Sequence, residues 1–212
     1  RDMLGSDLVP DYMTNVPVGA QYGWPWIYWG DIVDERVEHP MPNFLTEYTR
    51  RPEYALGPHV AALGLAFTRE GSRMGAGFGH GAFIARHGSW NRKPAAGYDV
   101  VYVEFDERGN PLGKPVQVLG SFLKNDDETR GRPTWVAWDG TGALLVSDDP
   151  QTRETRRIVT SIDGTGTLRW MGIHLVPSRA AGEPLAVLDH HAQIVYNGRD
   201  FQLEELDRSA EI

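Results

Sequence analysis

Apolar residues fall along this chain in short runs, not in helical stripes. Gly64–Phe67, Ala82–Ala85, Val100–Phe105, Val116–Leu119, Trp135–Trp138 and Leu144–Val146 are all of strand length and are separated by Gly, Pro, Asn and Asp, the residues of turns. The pattern predicts an all-β chain. A helix-like spacing occurs only over Asp200–Ser209, where Phe201, Leu203 and Leu206 predict a short amphipathic turn or two.

The runs also recur. Leu63-Gly-Leu-Ala-Phe67 followed by Gly81-Ala-Phe-Ile-Ala85 is matched by Trp135-Val-Ala-Trp138 followed by Gly142-Ala-Leu-Leu-Val146, at a spacing of roughly seventy residues. Four strands fit such an interval, which is the content of one β-propeller blade with long loops. The chain has room for about three blades of that size. Blades that end without neighbours leave edges and a hydrophobic face exposed. A partial propeller is therefore the favoured reading, with an unusual small fold as the alternative.

Composition narrows the partners. A 212-residue chain with 41% hydrophobic residues has enough apolar material for a core. A formal charge of −8, with pI near 5.3, argues against a nucleic-acid surface, whose phosphates demand a basic stripe. Small molecules or proteins are the expected partners. No run approaches the about 18 apolar residues of a membrane span, and Arg1-Asp2-Met3 does not read as the start of a signal peptide. The lack of cysteine excludes disulfides and thiolate metal sites within the chain and leaves cytoplasm and periplasm both open.

Candidate chemistry sits at two strand ends. Arg130-Gly-Arg-Pro133 precedes a strand–turn–strand unit that closes on Asp148-Asp149, and the strand from Phe83 runs into His87-Gly-Ser-Trp-Asn-Arg92. Two strand ends bearing such groups point to one shared pocket. Plainer readings stand beside this one. Arg130 and Arg132 balance Asp126, Asp127 and Glu128 on a solvated loop; Asp148 is a turn residue; Trp90 packs under its loop while Asn91 caps it; His59 is a satisfied buried histidine; and Asp2, Asp7 and Asp11 are exposed loop charges. The aromatic run Tyr22–Trp29 suits sugar stacking, although packing at a blade edge is the favoured reading. His190 and His191, near Asp189, point to opposite faces of a strand and have no third ligand at a convincing spacing, which disfavours a metal site there.

Taken in order, Asp2–Tyr12, Tyr22-Gly-Trp-Pro25, Tyr54-Ala-Leu-Gly-Pro-His-Val-Ala61, His87–Arg92 and Gly131-Arg-Pro133 resemble the L-sorbosone dehydrogenase branch of the pyrroloquinoline-quinone-dependent sugar dehydrogenases. The resemblance covers about residues 1–149. It implies a six-bladed β-propeller of which this chain is the C-terminal half. Residues 150–212 then form a final strand, of which Thr155–Val159 is a remnant, plus an unassigned extension. The family's catalytic histidine base is expected upstream, so no residue here is assigned as the principal catalytic base.

The chemistry implied by the resemblance suits these residues. The quinone is flat and carries three carboxylates, and a guanidinium binds carboxylate bidentately without losing its charge. Arg130, Arg132 and Asp148 correspond to cofactor contacts in the relatives. His59, Asn91 and Arg92 are further candidates, and His59 or His87 is placed to polarise the substrate hydroxyl. Calcium on the quinone oxygen acts as a Lewis acid and is expected on main-chain carbonyls near Arg1 and Asp2. Oxidation then removes hydride from a sugar or sugar-derived aldehyde, and an external electron acceptor restores the quinone. The family works outside the cytoplasm, so the resemblance implies a periplasmic or secreted protein. Two other functions remain open: a metal-dependent propeller lactonase and a non-catalytic carbohydrate-binding propeller fragment.

Overall fold

The structure, a computed structural model, describes residues 2–120, 122–129, 131–140 and 142–148, together with the strands at 157–162, 184–188, 192–196 and 201–205. The described part is built from short antiparallel sheets. After a 3₁₀ turn at Asp2–Leu4 come β1 (Pro10–Met13), β2 (Ile27–Tyr28), β3 (Ile32–Val33), one helical turn α1 (Leu45–Tyr48) and β4 (Tyr54–Pro58). Then follow β5 (Ala62–Phe67), β6 (Gly81–Arg86), β7 (Asp99–Phe105), β8 (Pro111–Leu119), β9 (Pro133–Trp138), β10 (Leu144–Asp148) and β11 (Arg157–Ile162). The last strands are β12 (Pro184–Leu188), β13 (Ala192–Tyr196) and β14 (Phe201–Glu205).

β5-β6-β7-β8 form an antiparallel meander in chain order, the arrangement expected when each strand is joined to the next by a turn. β1 pairs with β4, β2 with β3, β9-β10-β11 make a three-stranded sheet, and β12-β13-β14 make another. All six apolar runs of the sequence lie on strands. β8 starts earlier than its apolar run, at Pro111, and is largely exposed along its length. As the outer strand of its sheet it tolerates the Pro, Gly and Lys that a central strand would not.

The expected helical turn over Asp200–Ser209 is corrected: Phe201–Glu205 is a strand paired with β13. Backbone pairing with β13 prevails there over the loose helical match. The Thr155–Val159 remnant falls partly on β11, which extends the sheet of β9 and β10.

Layering follows from alternation. On β6 and β7, Phe83, Ala85, Val100 and Tyr102 face one side and join Leu119, Phe122, Val136, Leu144 and Val146 in a core against the β9–β11 sheet. Ile84, Val101 and Val103 face the other side and meet Tyr54, Leu56 and Val60 in a second core with the β1–β4 sheet. The four-stranded sheet is thus buried on both faces at its centre. Each fully buried Val or Phe there contributes about 1.5–3 kcal/mol. Gly64 sets the approach of neighbouring sheets, because a Cβ there would lie 2.5 Å from Trp135 Cα.

At one end of this sheet, Asp99 is buried and receives the Arg86 guanidinium bidentately, Nε to Oδ1 at 2.7 Å and Nη2 to Oδ2 at 2.6 Å. Arg86 Nη1 also donates to the Leu56 carbonyl at 2.9 Å, tying β4 to β6. This end of the sheet carries the site.

Candidate functional site

Because β5 and β6 run antiparallel, the end of β6 lies beside the start of β5, with Ala62 opposite Arg86. The ladder continues past both strands: His87 N–H donates to the Ala61 carbonyl and Gly88 N–H to the Val60 carbonyl, each at 2.9 Å. The chain then turns out through residues 89–98 and returns into β7. Gly88 has φ +103° and packs so closely on Tyr98 that a Cβ would stand 2.4 Å from the ring, so only glycine fits. Ser89 closes the loop: its N–H donates to the Ala96 carbonyl at 2.9 Å, its Oγ accepts from Ala96 N–H at 3.0 Å, and its carbonyl accepts from the Tyr98 hydroxyl.

Arg132, just before β9, clasps this loop. Its Nε donates to the His87 carbonyl at 3.2 Å and its Nη2 to the Gly88 carbonyl at 2.7 Å, while the guanidinium lies 5.5 Å from the Tyr98 ring centroid. Its partners are neutral groups; among the described residues it forms no ion pair. The Arg132 backbone N–H donates to Asp148 Oδ1. Asp148, at the end of β10, is 5% exposed and presses against Gly131, where a Cβ would lie 2.3 Å from Oδ2. His87 Nδ1 meets the Pro133 carbonyl at 3.2 Å. A carbonyl can only accept, so Nδ1 carries the hydrogen of this contact. Arg132, Asp148 and His87 are therefore brought together from three strand ends.

Two of the three acidic residues proposed to balance the arginines, Asp126 and Glu128, have other partners. Asp126 Oδ1 accepts from Ala95 N–H at 3.0 Å, and Glu128 pairs with Lys124 at 2.6 Å. Arg92 Nη1 donates to the Pro94 carbonyl at 2.6 Å and its Nη2 reaches Asp7 Oδ1 at 3.2 Å, while its Nε is buried without a hydrogen-bond partner. Asn91 is half-buried in the same loop, and Trp90 is 72% exposed instead of packing beneath it. His59, 7% exposed with φ +56°, donates from Nε2 to the Gly5 carbonyl at 2.7 Å. Ser6 Oγ donates to the Lys93 carbonyl at 3.0 Å. Residues 5–7 thus strap His59 to the Arg92–Lys93 segment. Asp2 opens the first 3₁₀ turn; Arg1, Arg130 and the Asp189–His191 segment lie outside the described residues.

A pocket of about 370 Å³ adjoins His59. Its walls include Asp11, Tyr12, Tyr22, Trp24, Tyr28 and Trp29, and Ala61 closes it toward the His87 loop. Asp11 Oδ2 accepts from Ala61 N–H at 2.6 Å, so it is no free loop charge. Four non-glycine residues among those described have positive φ: Trp29, His59 and Ala61 line this pocket, and Tyr98 lies under Arg132. Such conformations are costly and persist where the surroundings hold them, often at functional sites. Tyr98 lies outside the sequence motifs, and Gly88 and Ala61 enter them without a role of their own.

The family model described as TrAA12-like matches residues 38–159. An uncharacterized protein of Borreliella burgdorferi is 28% identical over 153 residues, spanning 70% of this chain and 39% of that protein. The pyrroloquinoline quinone-dependent pyranose dehydrogenase of Coprinopsis cinerea is 31% identical over 116 residues, spanning 47% of this chain and 15% of that enzyme. The calcium structure of the Trichoderma reesei carbohydrate-active enzyme of family AA12 superposes with a TM-score of 0.55 at 19% identity, over 69% of this chain and 42% of that one. The fold is therefore shared with that protein. The chain spans well under half the length of these curated relatives.

Proposed function

The chain belongs to the TrAA12-like family, whose model matches residues 38–159, and from that premise we propose that it is part of a sugar oxidoreductase that uses pyrroloquinoline quinone. The observation that carries this reading is a cationic, donor-rich rim at one end of stacked sheets. Arg132 is held there by two carbonyls and a ring, and Arg92 lies in the neighbouring loop, tied to the Pro94 carbonyl and to the exposed Asp7. A flat tricarboxylate fits such a donor set, because charge-assisted bonds to carboxylates are about twice as strong as neutral ones. Arg132 and Arg92 would hold its carboxylates, with Asn91 and Arg130 as further contacts. Asp148 acts through Arg132, fixing its backbone N–H and so the start of β9.

When bound, the quinone supplies a two-electron acceptor for hydride from the sugar carbon. The chain's own part is to bind, orient and hold protons. His87, oriented by its Nδ1–H on the Pro133 carbonyl, is the residue placed to polarise the substrate hydroxyl. Calcium belongs to the same reading, held by main-chain carbonyls near Arg1 and Asp2. Main-chain carbonyls are oxygen donors of the kind calcium takes. The substrate is an aldose or an L-sorbosone-like aldehyde, and the electrons pass to an external acceptor outside the cytoplasm.

The stacked sheets are read as successive blades of a six-bladed propeller. Leu63, Leu65 and Phe67 of edge strand β5, and Trp135 of β9, are exposed, which supports faces that further blades cover. The test is reduction of an artificial dye by aldoses and aldehydes in the presence of quinone and calcium. Turnover that requires quinone is expected; quinone-independent turnover, or none across a broad panel, overturns the reading.

A further inference from the structure

We infer that the aromatic pocket beside His59 binds a small organic cation, headed by a quaternary ammonium, at a site separate from the Arg132 rim. Its volume of about 370 Å³ lies within the about 300–1,000 Å³ typical of small-molecule sites. None of its lining residues comes from the 87–98 loop, the start of β9 or Asp148. Five of them are aromatic: Tyr12, Tyr22, Trp24, Tyr28 and Trp29. Tyr12 lies against Tyr22 with the ring planes 25° apart and the centroids at 6.3 Å, and it meets Trp29 at 70° with the centroids at 6.0 Å. Two walls of the pocket thus stand near a right angle, and in such a corner more than one ring face meets a single cation, each within the about 6 Å over which the attraction acts.

Electrostatics select the charge of the occupant. Asp11 is the one carboxylate of the lining, fixed at the wall by the Ala61 N–H at 2.6 Å, and neither lysine nor arginine shares the lining with it. His59, the lining's one basic side chain, engages the Gly5 carbonyl through Nε2 at 2.7 Å. Arg51, which is not part of the lining, sets its guanidinium 5.9 Å from the Trp29 centroid, so this ring already receives a cation of the chain itself. The formal charge of −8 attracts cations at longer range. Apart from Asp11, His59 and the aromatic rings, the lining side chains are apolar. A primary ammonium brings three N–H donors, each of which needs an acceptor, whereas a methylated ammonium carries its charge within an apolar shell. The methylated form matches rings, aliphatic side chains and a single carboxylate.

The site needs no quinone, so its test is independent of the proposed oxidation. The full chain, checked for folding by circular dichroism, is titrated by calorimetry at constant ionic strength with three probes: choline, the uncharged alcohol in which a tert-butyl group replaces the trimethylammonium, and ethanolamine. Tyr12→Leu removes a ring face and keeps apolar bulk; Asp11→Asn removes the charge and keeps an oxygen for the Ala61 N–H. Saturable choline binding is expected, at least about 10-fold tighter than that of the alcohol or ethanolamine, and weakened by about 3- to 10-fold in each variant, the effect of one cation–π contact or one charge pair. If neither variant folds, Trp24→Ala, whose ring is 68% exposed, decides in their place. No saturable choline binding by the folded chain, an alcohol or ethanolamine that binds as tightly as choline, or affinity unchanged in every folded variant overturns the inference.

Discussion

Arg132 does two things at once: it fastens the 87–98 loop to the start of β9 and it places a guanidinium among neutral groups. Replacing it by alanine removes two charge-assisted bonds to the His87 and Gly88 carbonyls, each worth about 1.5–3 kcal/mol. Arg132→Ala is therefore expected to lower stability by a few kcal/mol at most, and Arg132→Lys, which lacks the planar fork, by roughly half as much; urea unfolding of both variants checks the order. The buried Arg86–Asp99 pair makes a sharper case. Asp99→Ala leaves a guanidinium, 15% exposed, without its carboxylate and is expected to cost about 3–5 kcal/mol, whereas a change below about 1 kcal/mol in urea would remove the pair from the account. The sequence revealed the charged members of the site because arginines and aspartates at strand ends have no use in a core. Tyr98, Gly88 and Ala61 were hidden, since their roles depend on backbone angles and on packing between segments distant in sequence.

Strands were legible because their apolar residues fall in short runs of strand length, set apart by turn residues. What the runs could not give was the length of edge strand β8, where exposure removes the apolar signal, or the strand at Phe201–Glu205, where the spacing matched a weak helical pattern. Close approach between elements was equally silent in sequence. At Gly64 a valine would set Cβ against the backbone of Trp135 and Val136, so Gly64→Val is expected to lower the melting temperature, at a cost of about 1–3 kcal/mol. The β7–β8 turn offers a pH test. Asp106 accepts from Asn110 Nδ2 and N–H, each at 2.8 Å, and from Arg108 N–H at 2.9 Å. The Asn110 side chain first, then these backbone donors, hold its carboxyl below the usual carboxylate range. With the folded pKa lowered, the turn's contribution is present at neutral pH and is lost as pH falls below about 4. Asp106→Asn is expected to flatten that part of the acid unfolding curve; an unchanged curve would show that the turn is held by its backbone alone.

At the scale of the whole molecule, three face-to-face sheets carry His59, His87, Asn91, Arg92 and Arg132 on loops at one end, 59–61, 87–98 and 131–132, with Asp148 closing β10. The two strand pairs of like pattern in the sequence lie in two separate sheets, β5–β6 in one and β9–β10 in the other. The cofactor was legible only through the resemblance, since composition and spacing supply arginines without naming the anion they receive. Its binding tests the account most directly. The purified chain is titrated with pyrroloquinoline quinone, with and without calcium, following tryptophan quenching, alongside Arg132→Ala and Arg92→Gln checked for folding by circular dichroism. The account predicts saturable quenching by the native chain and affinity at least about 10-fold weaker in each folded variant, as expected for loss of a charge-assisted carboxylate contact. Absence of saturable binding by the folded chain, or affinity unchanged in both variants, would contradict it.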